Sequence, residues 1–302
     1  MKRAAMVLGI LAVATLAVAQ QQTPAQQKPA GAAQQGAATA APQGKRPPQA
    51  KTQPEFDAYN AAMANQKDPA AMEKAADDFA TKFPDSELRV LLFKAAMRGY
   101  QNANNGDKML EEAQKLLKVD PDDPEALIAS AEVTAERTRD TDLDKDQRYA
   151  RAAKDAQRAL ETVDTDVPAP ANIPPAQIEA YKALLRSSAY SILGTIQYSQ
   201  EKYVDAESYF RKSIDAYPTQ PDPVVVLRLA LALDKQGKYA DALKQANKAV
   251  DLTQDGTNAG VTARHERDRL MQLTGATIPP VSSPAPASKP PADATPNATT
   301  PH

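Results

Sequence analysis

The feature that most constrains this chain is an internal repeat in its second half. Residues 193–210 and 229–246 superimpose with an offset of 36 residues. The matched positions are Leu193-Gly194 with Leu229-Ala230, Tyr203 with Tyr239, and Ala206 with Ala242. A repeat of this period is typical of helical hairpins that stack on one another and share a continuous core. The sequence therefore predicts a fold built from tandem helical hairpins.

The spacing of apolar residues also favours helices. Between residues 178 and 196, apolar side chains recur at intervals of three, four or seven residues, as one face of a helix requires. They are Ile178, Tyr181, Leu185, Ile192 and Ile196. Pro174 and Pro175 directly precede this stretch and suit the first turn of a helix. No segment alternates apolar and polar residues with the β-branched enrichment of a strand, so the predicted fold class is all-α.

One set of residues within the repeat resembles the tetratricopeptide-repeat (TPR) family. The family pattern is an aromatic residue, then Leu-Gly, then Ala followed four residues later by an aromatic residue, and finally Pro. The corresponding residues here are Tyr190, Leu193-Gly194, Ala206, Phe210 and Pro218. Weaker copies lie upstream, which gives five units and a final helix at about residues 261–273 that covers the end of the stack. The resemblance implies tandem helix-turn-helix repeats that form a right-handed superhelical solenoid.

The two ends of the chain differ from the middle in composition. Residues 1–19 resemble a secretory signal peptide, with Lys2 and Arg3 before an apolar run that ends in small residues. This run is shorter than the roughly 20 residues of a membrane-spanning helix, so we expect cleavage, no stable membrane span afterwards, and an exported, periplasmic or secreted protein. Residues 20–52 are rich in Gln, Ala and Pro, and residues 275–302 in Pro, Ala and Thr. Both segments are predicted to be disordered, and residues 53–274 to form the repeat domain.

Charge and composition argue against several kinds of site. The net charge is −2, and because basic residues are concentrated before residue 53, the folded middle is acidic. An acidic domain repels phosphate backbones, so we expect no nucleic-acid partner. The chain has no Cys and only His265 and His302, which removes thiolate metal sites and cysteine nucleophiles. Neither histidine has the neighbours of a metal site or a catalytic triad. We therefore predict no catalytic residue, no metal and no cofactor.

An acidic run at Asp140, Asp142, Asp144 and Asp146 has two interpretations. Alternating carboxylates can bind calcium, but the calcium loop of helix-loop-helix proteins needs Gly and Glu where this chain has Lys145 and Arg151. We favour the alternative, an exposed insertion at about residues 137–147 whose last Asp residues cap the following helix.

The resemblance also implies a recognition surface, because the first helix of each TPR hairpin lines a concave groove that holds peptides or helices of partner proteins. Mapped onto this sequence, the candidate groove residues are Lys94, Arg98, Gln101, Ile128, Glu132, Ser191, Thr195, Tyr198, Leu227 and Leu231. Arg98 and Tyr198 are the expected energetic anchors, since Arg and Tyr are favoured at interfaces. An alternative for Lys94, Arg98, Glu125 and Glu132 is mutual pairing between neighbouring units.

The sequence thus predicts a non-enzymatic scaffold of the cell envelope that binds a protein or peptide partner in its groove. A rival is a structural subunit of a larger envelope assembly that uses the edges of the stack and its tails. A more remote rival is an enzyme built on the repeats. A groove filled by the protein's own chain would favour the assembly role.

Overall fold

The computed structural model of the chain describes residues 45–276. Eleven helices and no strand occur in this range, so the all-α prediction is confirmed. The helices are α1 (Gln53–Met63), α2 (Pro69–Lys82), α3 (Arg89–Asn102), α4 (Gly106–Val119), α5 (Pro124–Arg137), α6 (Lys145–Thr162), α7 (Pro175–Ser199), α8 (Tyr203–Ala216), α9 (Pro223–Lys235), α10 (Tyr239–Asp251) and α11 (Asn258–Thr274). The predicted signal peptide and most of the two predicted tails lie outside the described residues.

Consecutive helices pair into hairpins, and neighbouring hairpins pack side by side. We call the pairs α1/α2, α3/α4, α5/α6, α7/α8 and α9/α10 units 1 to 5, and α11 follows unit 5. Several helices begin with an Asp-Pro pair, in which the Asp side chain accepts a backbone N–H and Pro occupies the first helical position. Within the described range, no helix is both long and apolar enough to cross a membrane.

The crossing of the two helices in unit 4 depends on a small residue facing a large one. A Cβ atom added at Gly194 would lie 2.6 Å from two ring carbons of Phe210, and both Phe210 and Ala206 are fully buried. In unit 2 the corresponding positions hold Met97, Met109 and Ala113, which are also buried. In unit 4 the large side chain at the crossing therefore comes from α8 alone, whereas in unit 2 both α3 and α4 contribute a large side chain.

The hairpin turns of units 2, 4 and 5 share one conformation. Asn104, Glu201 and Gly237 occupy equivalent positions and have φ angles of 56°, 60° and 73°. In each turn the next residue donates its N–H to a carbonyl five positions back, for example Lys202 N to Gln197 O at 2.9 Å. This is the left-handed closure that ends many helices, and it sets where the second helix of the unit begins.

Two segment boundaries differ from those expected from the sequence. Residues 45–52, assigned above to a disordered linker, lie against the repeats, because Lys45, Arg46 and Lys51 contact acidic side chains or carbonyl groups there. The insertion in unit 3 covers residues 138–144, since α6 already begins at Lys145.

Candidate recognition surface

The first helices α3, α5 and α7 meet in a network of charged side chains. Arg98 on α3 forms a bidentate pair with Glu125 on α5, with Nε–Oε1 and Nη2–Oε2 distances of 2.5 and 2.7 Å. The hydroxyl of Tyr181 on α7 donates to Glu125 Oε2 at 2.6 Å, and Arg98 Nη2 donates to the same hydroxyl at 3.3 Å. Lys94 Nζ lies 2.5 Å from Asp123 Oδ2 and 3.6 Å from Glu125 Oε2. Five side chains from three successive units are thereby linked.

The network fixes the protonation states of three of its members. Burial alone would raise the pKa of Glu125, but the charges of Arg98 and Lys94 and the bonds from Arg98 and Tyr181 outweigh it and bring the pKa to about 2. Burial and the charge of Glu125 raise the pKa of Tyr181 well above its usual value, so its hydroxyl remains a donor. Although burial opposes it, the charges of Asp123 and Glu125 raise the pKa of Lys94. Near neutral pH, Glu125 and Lys94 therefore stay charged and Tyr181 stays neutral.

Tyr181 reaches this network because α7 is unusually long. Helix α7 has 25 residues, whereas the other first helices have 11 to 14, and its additional N-terminal turns lie against α5. Ile178 and Leu185 on these turns are buried in the same apolar cluster as Ile128. The protein's own chain therefore covers the concave side of unit 3 and reaches Arg98 of unit 2. Lys94, Arg98 and Glu125 pair with one another across neighbouring units, which is the second of the two interpretations given above. No sequence signal indicated that Tyr181 would join them.

Two candidate groove residues are buried and offer little surface to a partner. Ile128 is 7% exposed and packs in the cluster that includes Ile178 and Leu185. Leu227 is 6% exposed and packs with Ala249 and with Ala263 of α11. Each contributes to the packing between successive units, because the next first helix covers it.

The remaining candidates on α7 and α9 are half-buried and lie on the concave side of units 4 and 5; they are Ser191, Thr195, Tyr198 and Leu231. The ring of Tyr198 meets that of Tyr203 edge-on, with centroids 5.4 Å apart. Thr195 Oγ1 accepts from Arg228 on α9 at 2.8 Å, which links α7 to α9. Gln101 and Glu132, in units 2 and 3, are also half-buried.

Among the described residues, no group of His, Asp and Glu is arranged to hold a metal ion. In the acidic insertion, Asp142 Oδ2 accepts from Arg139 N at 2.9 Å and from Arg148 Nη1 at 3.1 Å. Asp144 stands at the N-cap position of α6, but its side chain makes no capping hydrogen bond. The capping prediction is therefore wrong for Asp144, and Asp142 shapes the loop instead.

Comparison with known proteins adds similarities of overall fold. No family model and no curated protein matches the chain. Among solved structures, the MamA protein is similar over 66% of this chain and 89% of its own, with 17% identity and a TM-score of 0.45. The thermophilic TPR protein TTC0263 of Thermus thermophilus is similar over 70% and 98%, with 13% identity and a TM-score of 0.43. Acl4, an assembly chaperone of RpL4, is similar over 73% and 99%, with 13% identity and a TM-score of 0.36.

The hairpin geometry carries the identification of the fold. In unit 4 the family's Gly, Ala and aromatic positions meet at the helix crossing, and equivalent turns recur in units 2, 4 and 5. The fold is TPR-like. The concave surface of the TPR-like stack is crossed by the charged network and the first turns of α7 in units 2 and 3, and it carries the half-buried Tyr198 and Leu231 in units 4 and 5.

Proposed function

We propose that this protein is a non-catalytic interaction scaffold that recognises a partner polypeptide through the concave side of units 4 and 5. The observation that carries the proposal is the difference between the two halves of the stack. Lys94 and Arg98 are already paired with Asp123 and Glu125, whereas Tyr198 and Leu231 retain partly exposed aromatic and aliphatic surface. Such side chains are common anchors in interfaces, because they exclude water over a large contact area.

The surface in units 4 and 5 suits an extended or helical peptide. Ser191 offers a hydroxyl group beside Tyr198 on one helix, and Leu231 lies on the next. A groove with a few polar groups on an apolar floor can fix both the orientation and the register of a peptide. The groove therefore supplies contact without requiring a charged partner.

We place this scaffold in the cell envelope on the sequence of residues 1–19 alone. Lys2 and Arg3, the apolar run and the small residues after it have the order of a secretory signal. Mass spectrometry of the protein purified from its native host would detect a mature chain that begins at Gln20. A chain that retains Met1 would contradict export by this signal.

A second candidate, a structural subunit of a larger assembly, is favoured by one observation. The N-terminal turns of α7 cover the concave side of unit 3 and reach Arg98 of unit 2, so the protein's own chain already contributes to this surface. In that role the edges of the stack make the contacts, and changes in the groove of units 4 and 5 leave assembly intact.

Measuring the affinity of a captured partner for groove variants distinguishes the two candidate functions. Tyr198→Ala and Leu231→Ser should each weaken binding by about 1–2 kcal/mol, which is about 5- to 30-fold in Kd. Arg211→Ala serves as the matched control, because Arg211 lies on the second helix of unit 4 and pairs with Glu207. Normal affinity of both groove variants would reject the groove and favour the assembly role.

A further inference from the structure

The segment before α1, which we call the strap (residues 45–52), crosses the turns that join successive units. Lys45 Nζ lies 2.7 Å from both carboxylate oxygens of Asp120, at the turn between units 2 and 3. The same ammonium lies 3.4 Å from Asp166 Oδ1, and Lys45 N donates to Thr165 O at 2.7 Å. Both of the latter residues follow α6, so a single residue of the strap contacts two inter-unit turns.

The rest of the strap contacts the turn between units 1 and 2. Arg46 Nη2 lies 2.6 Å from Glu87 Oε1, and Gln49 N donates to Glu87 Oε2 at 3.2 Å. Lys51 Nζ donates to Asp85 O at 2.8 Å. Ala50 packs against the apolar core of units 1 and 2. The strap therefore connects three successive turns and runs in the opposite direction to the stack.

This arrangement is unusual for a stack of repeats, in which each unit contacts only its neighbours and the terminal units can open independently. Lys45 and Asp166 are 121 residues apart, and the strap links the first unit to the end of the third. Pro47 and Pro48 restrict the backbone between Arg46 and Gln49, which both contact Glu87. Because a restricted segment loses less conformational entropy on docking, weak ion pairs suffice to hold it.

We propose that the strap is an electrostatic clasp that makes units 1 to 3 open as one block, and that ionic strength sets how firmly it closes. The side chains of Lys45 and Arg46 are 41% and 62% exposed, so dissolved salt can screen them. Asp120 is only 12% exposed, and its pairing with Lys45 offsets part of the cost of its burial. This device goes beyond partner recognition, since it acts on the turns of units 1 to 3, away from the groove of units 4 and 5.

Hydrogen exchange of the full-length protein, followed by mass spectrometry, tests the clasp without any partner. Lys45→Ala combined with Arg46→Ala should speed exchange roughly fivefold at all three turns, in peptides that cover residues 83–92, 116–127 and 160–168. Asp120→Asn combined with Asp166→Asn changes the other side of the contact and should have the same effect. In 1 M NaCl the wild-type protein should approach the variants, and the variants should change little.

Lys74→Ala is the matched control, because Lys74 forms an exposed pair with Asp78 within α2, at 2.6 Å and away from the strap. Faster exchange at all three turns in both double variants, but not in the control, supports the clasp. Faster exchange only at residues 83–92, an effect equal to that of the control, or an equal salt response in wild type and variants would each overturn it.

Discussion

The hairpin turns of units 2, 4 and 5 each contain one residue with a left-handed backbone conformation, and the residue type differs in each turn. Gly237 adopts a positive φ without steric cost, and Asn104 tolerates it. Glu201 has a φ of 60°, where a Cβ atom crowds the backbone. The turn of unit 4 is therefore under local strain that the turn of unit 5 avoids.

Glu201→Gly should raise the free energy of unfolding by about 0.5–1 kcal/mol, since relief of strain exceeds the added entropy of an unfolded glycine. Gly237→Ala is the converse control, because a Cβ atom at Gly237 would have nothing within 4 Å and only the φ angle opposes it. That variant should lose about 1 kcal/mol. Urea denaturation measures both changes, and a destabilised Glu201→Gly variant would show that the carboxylate has a compensating role.

Glu112 is a fully buried carboxyl group on α4, 2.7 Å from Lys115 Nζ. Burial raises its pKa, Lys115 lowers it, and the nearby carboxylates Glu73 and Asp77 raise it further, so the net shift is upward. A raised carboxyl pKa means that the folded state holds the proton more tightly than the unfolded state. The contribution of Glu112 to stability therefore falls as pH rises through its folded pKa.

Glu112→Gln removes this titration, so its stability relative to the wild type should increase as the pH is raised from acidic values to about pH 8. Thermal or urea unfolding of both proteins across this range gives the difference at each pH. A difference that stays constant or decreases would contradict the upward shift, and would mean that the pair with Lys115 outweighs burial.

The two helices of a unit pack closely because a large side chain on one helix faces a small residue on the other at their crossing. Unit 4 combines Gly194 with Phe210, whereas unit 2 combines Met97 with Ala113 at the corresponding positions. A crossing that held Met at the first position and Phe at the second would be overfilled. Small residues at these spacings are visible in the sequence, which is why the hairpins and their order could be predicted.

Gly194→Met should cost about 1–3 kcal/mol of stability through overpacking, and Phe210→Ala about 3–5 kcal/mol through a cavity. The double variant reproduces the pairing of unit 2 and should be more stable than the sum of the two losses predicts, by at least about 1 kcal/mol. Additive losses in chemical denaturation would show that the two side chains do not compensate each other.

The docking of α7 on α5 is a contact between elements that the sequence did not predict. Tyr181 belonged to an apolar helical face, and nothing in that pattern showed that this face would reach Arg98 and Glu125 on two preceding units. The strap was missed for a similar reason. Low apolar content predicted disorder, but the basic residues 45, 46 and 51 find acidic groups and a carbonyl that lie far away in the sequence.

Tyr181→Phe should lower the free energy of unfolding by about 1.5–3 kcal/mol, because it removes a hydrogen bond to a buried carboxylate. Tyr239→Phe is the control, since Tyr239 is 42% exposed and should change stability little. Arg98→Ala should also destabilise the fold, by about 1–3 kcal/mol after allowance for its 39% exposure. Such a loss would favour the pairing alternative for Arg98 over its expected role as a partner anchor. A Tyr181→Phe variant as stable as its control would mean that α7 does not lock units 2 and 3.

The two halves of the stack differ in how much of their surface the protein's own chain covers. The strap covers the turns of units 1 to 3, and α7 covers the concave side of unit 3 and reaches Arg98 of unit 2, so the protein's own chain occupies surface that a partner would otherwise contact. In units 4 and 5, the concave side retains the half-buried Tyr198 and Leu231. The expected consequence is that recognition is confined to the second half and the first half supports it.

Hydrogen-exchange protection of the protein by its captured partner tests this division most directly. Binding should slow exchange in α9 and in the C-terminal half of α7, residues 188–199, while α3 and α5 exchange as in the free protein. With the partner at a concentration near its wild-type Kd, Leu231→Ser should strongly reduce the protection, and Arg211→Ala should preserve it. Protection centred on α3 and α5, or protection that survives Leu231→Ser unchanged, would contradict recognition by the groove of units 4 and 5.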